Sequence, residues 1–154
     1  MFALQNWQRA RLAASQEHGP EAQEMPAAAA GDANERADVA SATEDARAAL
    51  LRRDLAAALA SAIRLENAGG PFRHAAALRL RAGIELARGD NESAAMFAGQ
   101  SFSIWQSADA AVVDARANLR AGAEDRARNW VRRALEAGAP AAAVRADHEL
   151  GAIA

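Results

Sequence analysis

The sequence predicts an all-α fold, and three observations carry that prediction. Alanine supplies 47 of the 154 residues, and it heads the helix-propensity ranking because fixing it in a helix costs no side-chain entropy. No stretch of apolar and polar alternation is long enough for a β-strand. Glycine and aspartate break the helix-forming runs at recurring intervals, as turns between helices require. The hydrophobic fraction is 51%, but alanine makes up more than half of it. The core is therefore thin, and alanine has to let the helices approach closely. The length suits one domain.

Residues 2–17 form a short amphipathic helix in this reading, with Ala3, Leu4, Trp7, Ala10 and Ala14 on one stripe and Trp7 as its large anchor. Gly19-Pro20 ends it. Residues 18–40 carry too few large apolar side chains to pack and are expected to be a flexible or weakly helical linker. The packed domain, residues 41–154, is expected to begin at Ser41, where Ser41-x-x-Glu44 matches a capping box. Its first helix either runs unbroken to Asn67 or bends at Arg53-Asp54. Gly69-Gly70-Pro71 stops it. The next helix, residues 73–88, is apolar on two faces (Leu80, Ile84 and Ala87; Leu78, Ala82 and Leu86) and is expected to be central.

Gly89-Asp90 reads as the turn of a helical hairpin, glycine supplying positive φ and aspartate capping the following helix. That helix places Ala94, Phe97, Ala98, Ser101, Phe102 and Trp105 on one face. The pattern returns further along the chain, where Gly122 takes the place of Gly89, and Ala127, Trp130, Val131, Ala134 and Leu135 take those of Ala94, Phe97, Ala98, Ser101 and Phe102. A weaker copy precedes both, with Asp54 in the place of Asp90 and Ala58, Ser61, Ala62 and Leu65 after it.

A two-helix unit that repeats every 34 residues or so, about the spacing from Gly89 to Gly122, has the period of tetratricopeptide repeats. Residues 40–154 resemble that family. The resemblance rests on Gly89, Asp90, Ala94 and Phe97, then on Gly122, Ala127, Trp130 and Ala134-Leu135. Ala82-Gly83 resembles the family's Leu-Gly element with a turn one residue short, whereas the family's first-helix aromatics are missing. The run ALEAGAPAAAVRADHELGAIA resembles the tail that closes bacterial arrays, with Val144, Leu150 and Ile153 packing over the last hairpin. The resemblance implies a short α-solenoid of helical hairpins with a C-terminal capping helix. It also implies a non-enzymatic interaction module that binds a protein or peptide on a concave groove.

In that frame His74, Arg81, Glu85 and Arg88 form a polar stripe on residues 73–88, and the shift from Gly89 to Gly122 sets Asp114 and Asn118 beside it. The shift from Asp90 back to Asp54 brings Asp45 and Arg52 to the same places. Arginines there would fork onto a carboxylate of the partner and Asn118 would bond its backbone. The competing account is a solvated face on which Arg81 and Glu85 pair at i,i+4. The family's lysine clamp for a C-terminal carboxylate has no counterpart, because the chain contains no lysine.

Net charge of -2 gives no field for nucleic acid or an anionic membrane. The basic run RARNWVRR reads as a core Trp130 with a self-paired exposed face rather than a nucleic-acid site. The absence of cysteine excludes disulfides and thiolate chemistry. His18, His74 and His148 are scattered, so no metal site is expected, and neither a cofactor nor a catalytic motif is found. No apolar run reaches the length of a membrane span and no signal peptide is evident, which makes the cytoplasm the expected compartment. The second function reading is a self-assembling structural protein, in which a short array stacks on copies of itself. The N-terminal helix is expected to fold back on the array or to bind another protein.

Overall fold

A computed structural model describes residues 32–154, which form seven helices packed in sequence. They are α1 (Ala33–Leu51), α2 (Leu55–Ala68), α3 (Pro71–Arg88), α4 (Asn91–Ile104), α5 (Ala108–Arg120), α6 (Glu124–Glu136) and α7 (Ala141–Ala146). The N-terminal helix expected at residues 2–17 lies outside the described residues, as does most of the expected linker.

Residues 33–40 correct the linker boundary, because they form the first turns of α1. The cap is Asp32 rather than Ser41. Its Oδ1 accepts from the Glu35 N–H at 2.8 Å, and Glu35 Oε2 accepts from the Asp32 N–H at 3.1 Å. Apolar periodicity misses this stretch because an ion cluster docks it. Arg73, on α3, donates from Nη2 to Asp38 Oδ2 at 2.7 Å and from Nη1 to Glu35 Oε1 at 3.3 Å. Val39 adds the one large apolar contact.

Of the two forms open to residues 41–67, the broken one is found. α1 stops at Leu51, Arg53 takes φ 58°, and Asp54 caps α2 by accepting from the Ala57 N–H at 3.0 Å. Gly89 (φ 84°) and Gly122 (φ 78°) hold the same place after α3 and α5. The hydrogen bonds are the same in all three turns. The N–H that follows the positive-φ residue reaches back into the last turn of the helix: Asp54 to the Ala49 carbonyl at 2.8 Å, Asp90 to Glu85 at 3.0 Å, and Ala123 to Asn118 at 2.9 Å. This closure satisfies carbonyls that each helix end leaves without a partner. Asp90 then caps α4 as expected, accepting from the Ser93 N–H at 3.0 Å.

Each helix packs on the next through α6, and the first helices also touch in succession, α1 on α3 and α3 on α5. α3 is thus central, as its two apolar faces predict. The core is a chain of small clusters. One joins α1, α2 and α3 through Ala46, Leu65, Ala77 and Leu80, another joins α3, α4 and α5 through Leu86, Ala94 and Ala117, and a third holds the C-terminal end. Among the described residues, most of the buried apolar side chains are alanine, so close helix contact replaces bulk. Phe72 and Trp105 meet at a 4.0 Å centroid distance with their rings tilted by 38°, and Phe102 meets Trp130 edge-on at 5.1 Å.

The C-terminal segment closes the stack, with Val144, Leu150 and Ile153 on Val112, Ala115 and Val131 as the sequence predicts. α7 ends at Asp147, whose Oδ1 accepts from the N–H groups of Glu149 and Leu150 at 2.9 and 3.0 Å. Arg116 grips the Asp147 carboxylate, and Arg120 holds both oxygens of Glu149 at 2.7 Å. Burial alone would raise the Asp147 carboxyl. The Leu150 N–H, Arg116 and the Glu149 N–H together outweigh it and hold the group at about 2.

These contacts make two stability predictions. Arg53→Gly removes the left-handed penalty of an L residue and should raise stability by roughly 0.5–1 kcal/mol in urea unfolding, while Gly89→Ala should lower it by about 1 kcal/mol. Because the folded Asp147 pKa is depressed, its contribution is present above about pH 4 and is lost as the pH falls toward 2. Asp147→Asn should therefore cost about 2 kcal/mol at pH 7 and little at pH 2, measured by unfolding at the two pH values.

Candidate functional site

The six residues of the expected groove do not line one surface. Asp114 and Asn118 are buried, at 2% and 8% exposure, whereas His74 and Arg88 are exposed. The i,i+4 pair of Arg81 with Glu85 does not form either. Arg81 instead forks onto Glu66 of α2, Nε to Oε1 and Nη2 to Oε2, both at 2.8 Å, and Glu85 accepts from Arg88 at 2.7 Å. The hydrogen bonds from Arg81 hold the Glu66 carboxyl below its ordinary value, with His74 adding a weaker push in the same direction. His74, Arg81, Glu85 and Arg88 therefore follow the side of α3 that meets the second helices.

The repeat register explains the difference. The shift that carries Gly89 to Gly122 takes Arg81 to Asp114 and Glu66 to Gly99. Where the first junction sets a guanidinium against a carboxylate, the next sets a carboxylate against a glycine. A Cβ on Gly99 would lie 3.3 Å from Asp114 Oδ2, so glycine makes room for the acid between α4 and α5. Asn118 donates from Nδ2 to Asp114 Oδ1 and to the Asp114 carbonyl. Arg133 stands over the Trp130 ring at 4.5 Å and acts on Asp114 through space. Burial is the dominant influence on Asp114, and it pushes the carboxyl up to about 7 against the opposing pull of Arg133 and Asn118. Two helix pairs earlier, on α1, Asp45 has an exposed partner in Arg64 of α2 at 2.9 Å.

The basic run on α6 is occupied locally. Arg128 pairs with Glu124, Arg132 donates to Asn129 at 3.0 Å, and Trp130 packs against the C-terminal core.

The face shared by α1, α3 and α5 lies roughly 160° around α3 from Arg81, at Phe72, Ala76, Arg79 and Gly83. Arg79 spans the three helices, donating from Nη2 to Thr43 Oγ1 of α1 at 2.9 Å and from Nη1 to Asp109 Oδ2 of α5 at 2.6 Å. Beside it opens a pocket of about 180 Å³ walled by Val39, Phe72, Ala76, Arg79 and Trp105. Its floor is mostly apolar. Ser101 at its edge commits its hydroxyl hydrogen to the Ala75 carbonyl at 2.7 Å. Such a pocket takes one large apolar side chain, with a guanidinium at the rim. Two spacings in the sequence point to this face. Phe72 and Trp105 are related by the shift that carries Gly89 to Gly122, and Thr43 and Arg79 by the one that carries Asp54 to Asp90.

No protein-family model, curated protein or solved structure matches the chain. The site therefore stands on its own geometry. Among the described residues no group of three or more histidine and carboxylate side chains is placed to hold a metal ion. No helix among them is long and apolar enough to cross a membrane.

The raised Asp114 carboxyl makes a pH prediction of the opposite sign to that for Asp147. A carboxyl whose folded pKa exceeds its unfolded value costs no stability below about pH 4, and its cost grows as the pH rises toward 7. Asp114→Asn keeps the acceptor for Asn118 and removes the buried charge. It should stabilise the protein at pH 8 by a few kcal/mol, on the order of 4 at most, and the gain should vanish near pH 4. Denaturant unfolding of both proteins across pH 4–8 checks this.

Proposed function

We propose that the protein is a non-enzymatic interaction module, a short tetratricopeptide-like stack that binds a protein or peptide along the face shared by α1, α3 and α5. The observation that carries this reading is the apolar pocket walled by α1, α3 and the end of α4, bordered by Arg79, which reaches on to α5 through Asp109. The recurrence of positive-φ residues at Arg53, Gly89 and Gly122, each after a first helix, supports the repeat description, and helical repeats present extended surfaces to partners. An extended peptide would seat a bulky side chain in the pocket and offer a carboxylate or carbonyl to Arg79. The binding residues in this reading are Phe72, Ala76, Arg79, Trp105 and Asp109. The stripe of His74, Arg81, Glu85 and Arg88 is tied to Glu66 and to itself.

A second reading, self-assembly, draws on Leu51. It is 80% exposed at the end of α1, the first of the described helices. A second copy would cover it.

A photoreactive residue placed singly in the intact chain at Asp109, on the shared face, or at Met96, half-exposed on α4, separates these readings. Irradiation in extract of the native cell should give a discrete adduct from position 109 and none from 96, and Arg79→Ala should weaken it several-fold. Equal adducts at both positions, or none at 109, would sink the groove. Adducts that join two copies of the chain, and no others, would favour assembly.

A further inference from the structure

We propose that the chain's own N-terminal segment occupies the pocket between α1 and α3, with Trp7 as the seated side chain. The pocket lies close to where the described residues begin. Val39, on its wall, follows Asp32 by two turns of α1, about 10 Å. A chain of the length that separates Trp7 from Asp32 spans roughly 25–30 Å root-mean-square. The reach is sufficient, and a tether of this kind presents its end at roughly millimolar effective concentration, above any ordinary concentration of a second copy.

The chemistry of the two partners is complementary. Among residues 1–31 Trp7 is the largest apolar side chain, with Leu4 three residues before it. The pocket, about 180 Å³ with Phe72 and Trp105 in its wall, suits a single flat ring. Near it Glu35 and Asp38 pair with Arg73, and Asp109 pairs with Arg79. Asp38 and Asp109 remain half or more exposed, at 51% and 74%. Residues 1–16 contain Arg9 and Arg11 and no carboxylate, so basic groups just after Trp7 can reach the exposed carboxylates of Asp38 and Asp109, beside the Arg79 guanidinium. Residues 1–17 and α1, α3 and α4 would then form one unit, and an outside peptide would have to displace Trp7. The proposal concerns the pocket alone and holds whether or not such a peptide exists, so the cross-linking result above leaves it standing.

The three tryptophans supply the test. In the full chain labelled with 5-fluorotryptophan, fluorine NMR gives one resonance each for Trp7, Trp105 and Trp130. Trp105 lines the pocket, whereas Trp130 packs on the C-terminal core and reports folding. Trp7→Ala should move the Trp105 resonance by more than its linewidth and leave Trp130 in place. Ala76→Leu, which narrows the pocket, should send the Trp7 resonance toward its position in urea while Trp130 again stays. Should Trp105 ignore the loss of Trp7, the pocket is not occupied by this segment. A Trp105 shift that appears only as protein concentration rises assigns the pocket to a second copy and overturns the intramolecular proposal.

Discussion

Close helix approach through alanine is the constraint from which the rest of this molecule follows. α3 touches α1, α2, α4 and α5, and it does so with a surface on which Ala75, Ala76, Ala77 and Ala82 are buried. Alanine seams allow tight contact but specify little, since a one-residue slide replaces one methyl group by another. Registration therefore falls to other groups. Arg64, Arg73, Arg79, Arg81, Arg116 and Arg120 each tie an element to a neighbour through a carboxylate. Surface pairs of this kind add little stability individually. Their place in this fold is to select one packing among several that the alanines would accept.

The same logic makes sense of the buried carboxylate. Arg81 of α3 faces Glu66 of α2, and Asp114 of α5 faces Gly99 of α4, while Asp45 of α1 pairs with Arg64 of the helix that follows it. Asp114 thus stands where the helix before it offers only a hydrogen atom. Arg133 is engaged with the Trp130 ring, and among the described residues Asn118 is the side chain left to bond the acid. Neutral Asp114 suits that setting better than the anion does, so the junction of α4 and α5 is weakened once the carboxyl ionises.

Much of the fold was legible because turn chemistry is local. Gly89, Asp90 and Gly122 announce the hairpins, and the two apolar faces of residues 73–88 correctly make α3 central. The start of α1 was not legible in this way. Residues 33–40 offer a single large apolar side chain, and what fixes them is Arg73, far along the chain from Asp38. The site was harder still. Periodicity grouped His74, Arg81, Glu85 and Arg88 on one stripe, which is correct, but it carries no information about which neighbour covers that stripe. Glu66 answers Arg81 and core atoms enclose Asp114, and both facts depend on how hairpins stack. The opposite stripe, with Phe72 and Arg79, gives no signal by itself because its residues acquire meaning only when Thr43, Trp105 and Asp109 are brought beside them.

The C-terminal segment has an implication for how α5 opens. α7 begins as far after the start of α5 as α6 begins after the start of α4, and Asp147 cuts it short. Both of its carboxylate anchors, Asp147 and Glu149, are held by arginines of α5, and its apolar side chains lie on Ala115 and Val131. Loss of either anchor therefore uncovers one side of α5, and the segment and that helix should lose amide protection together.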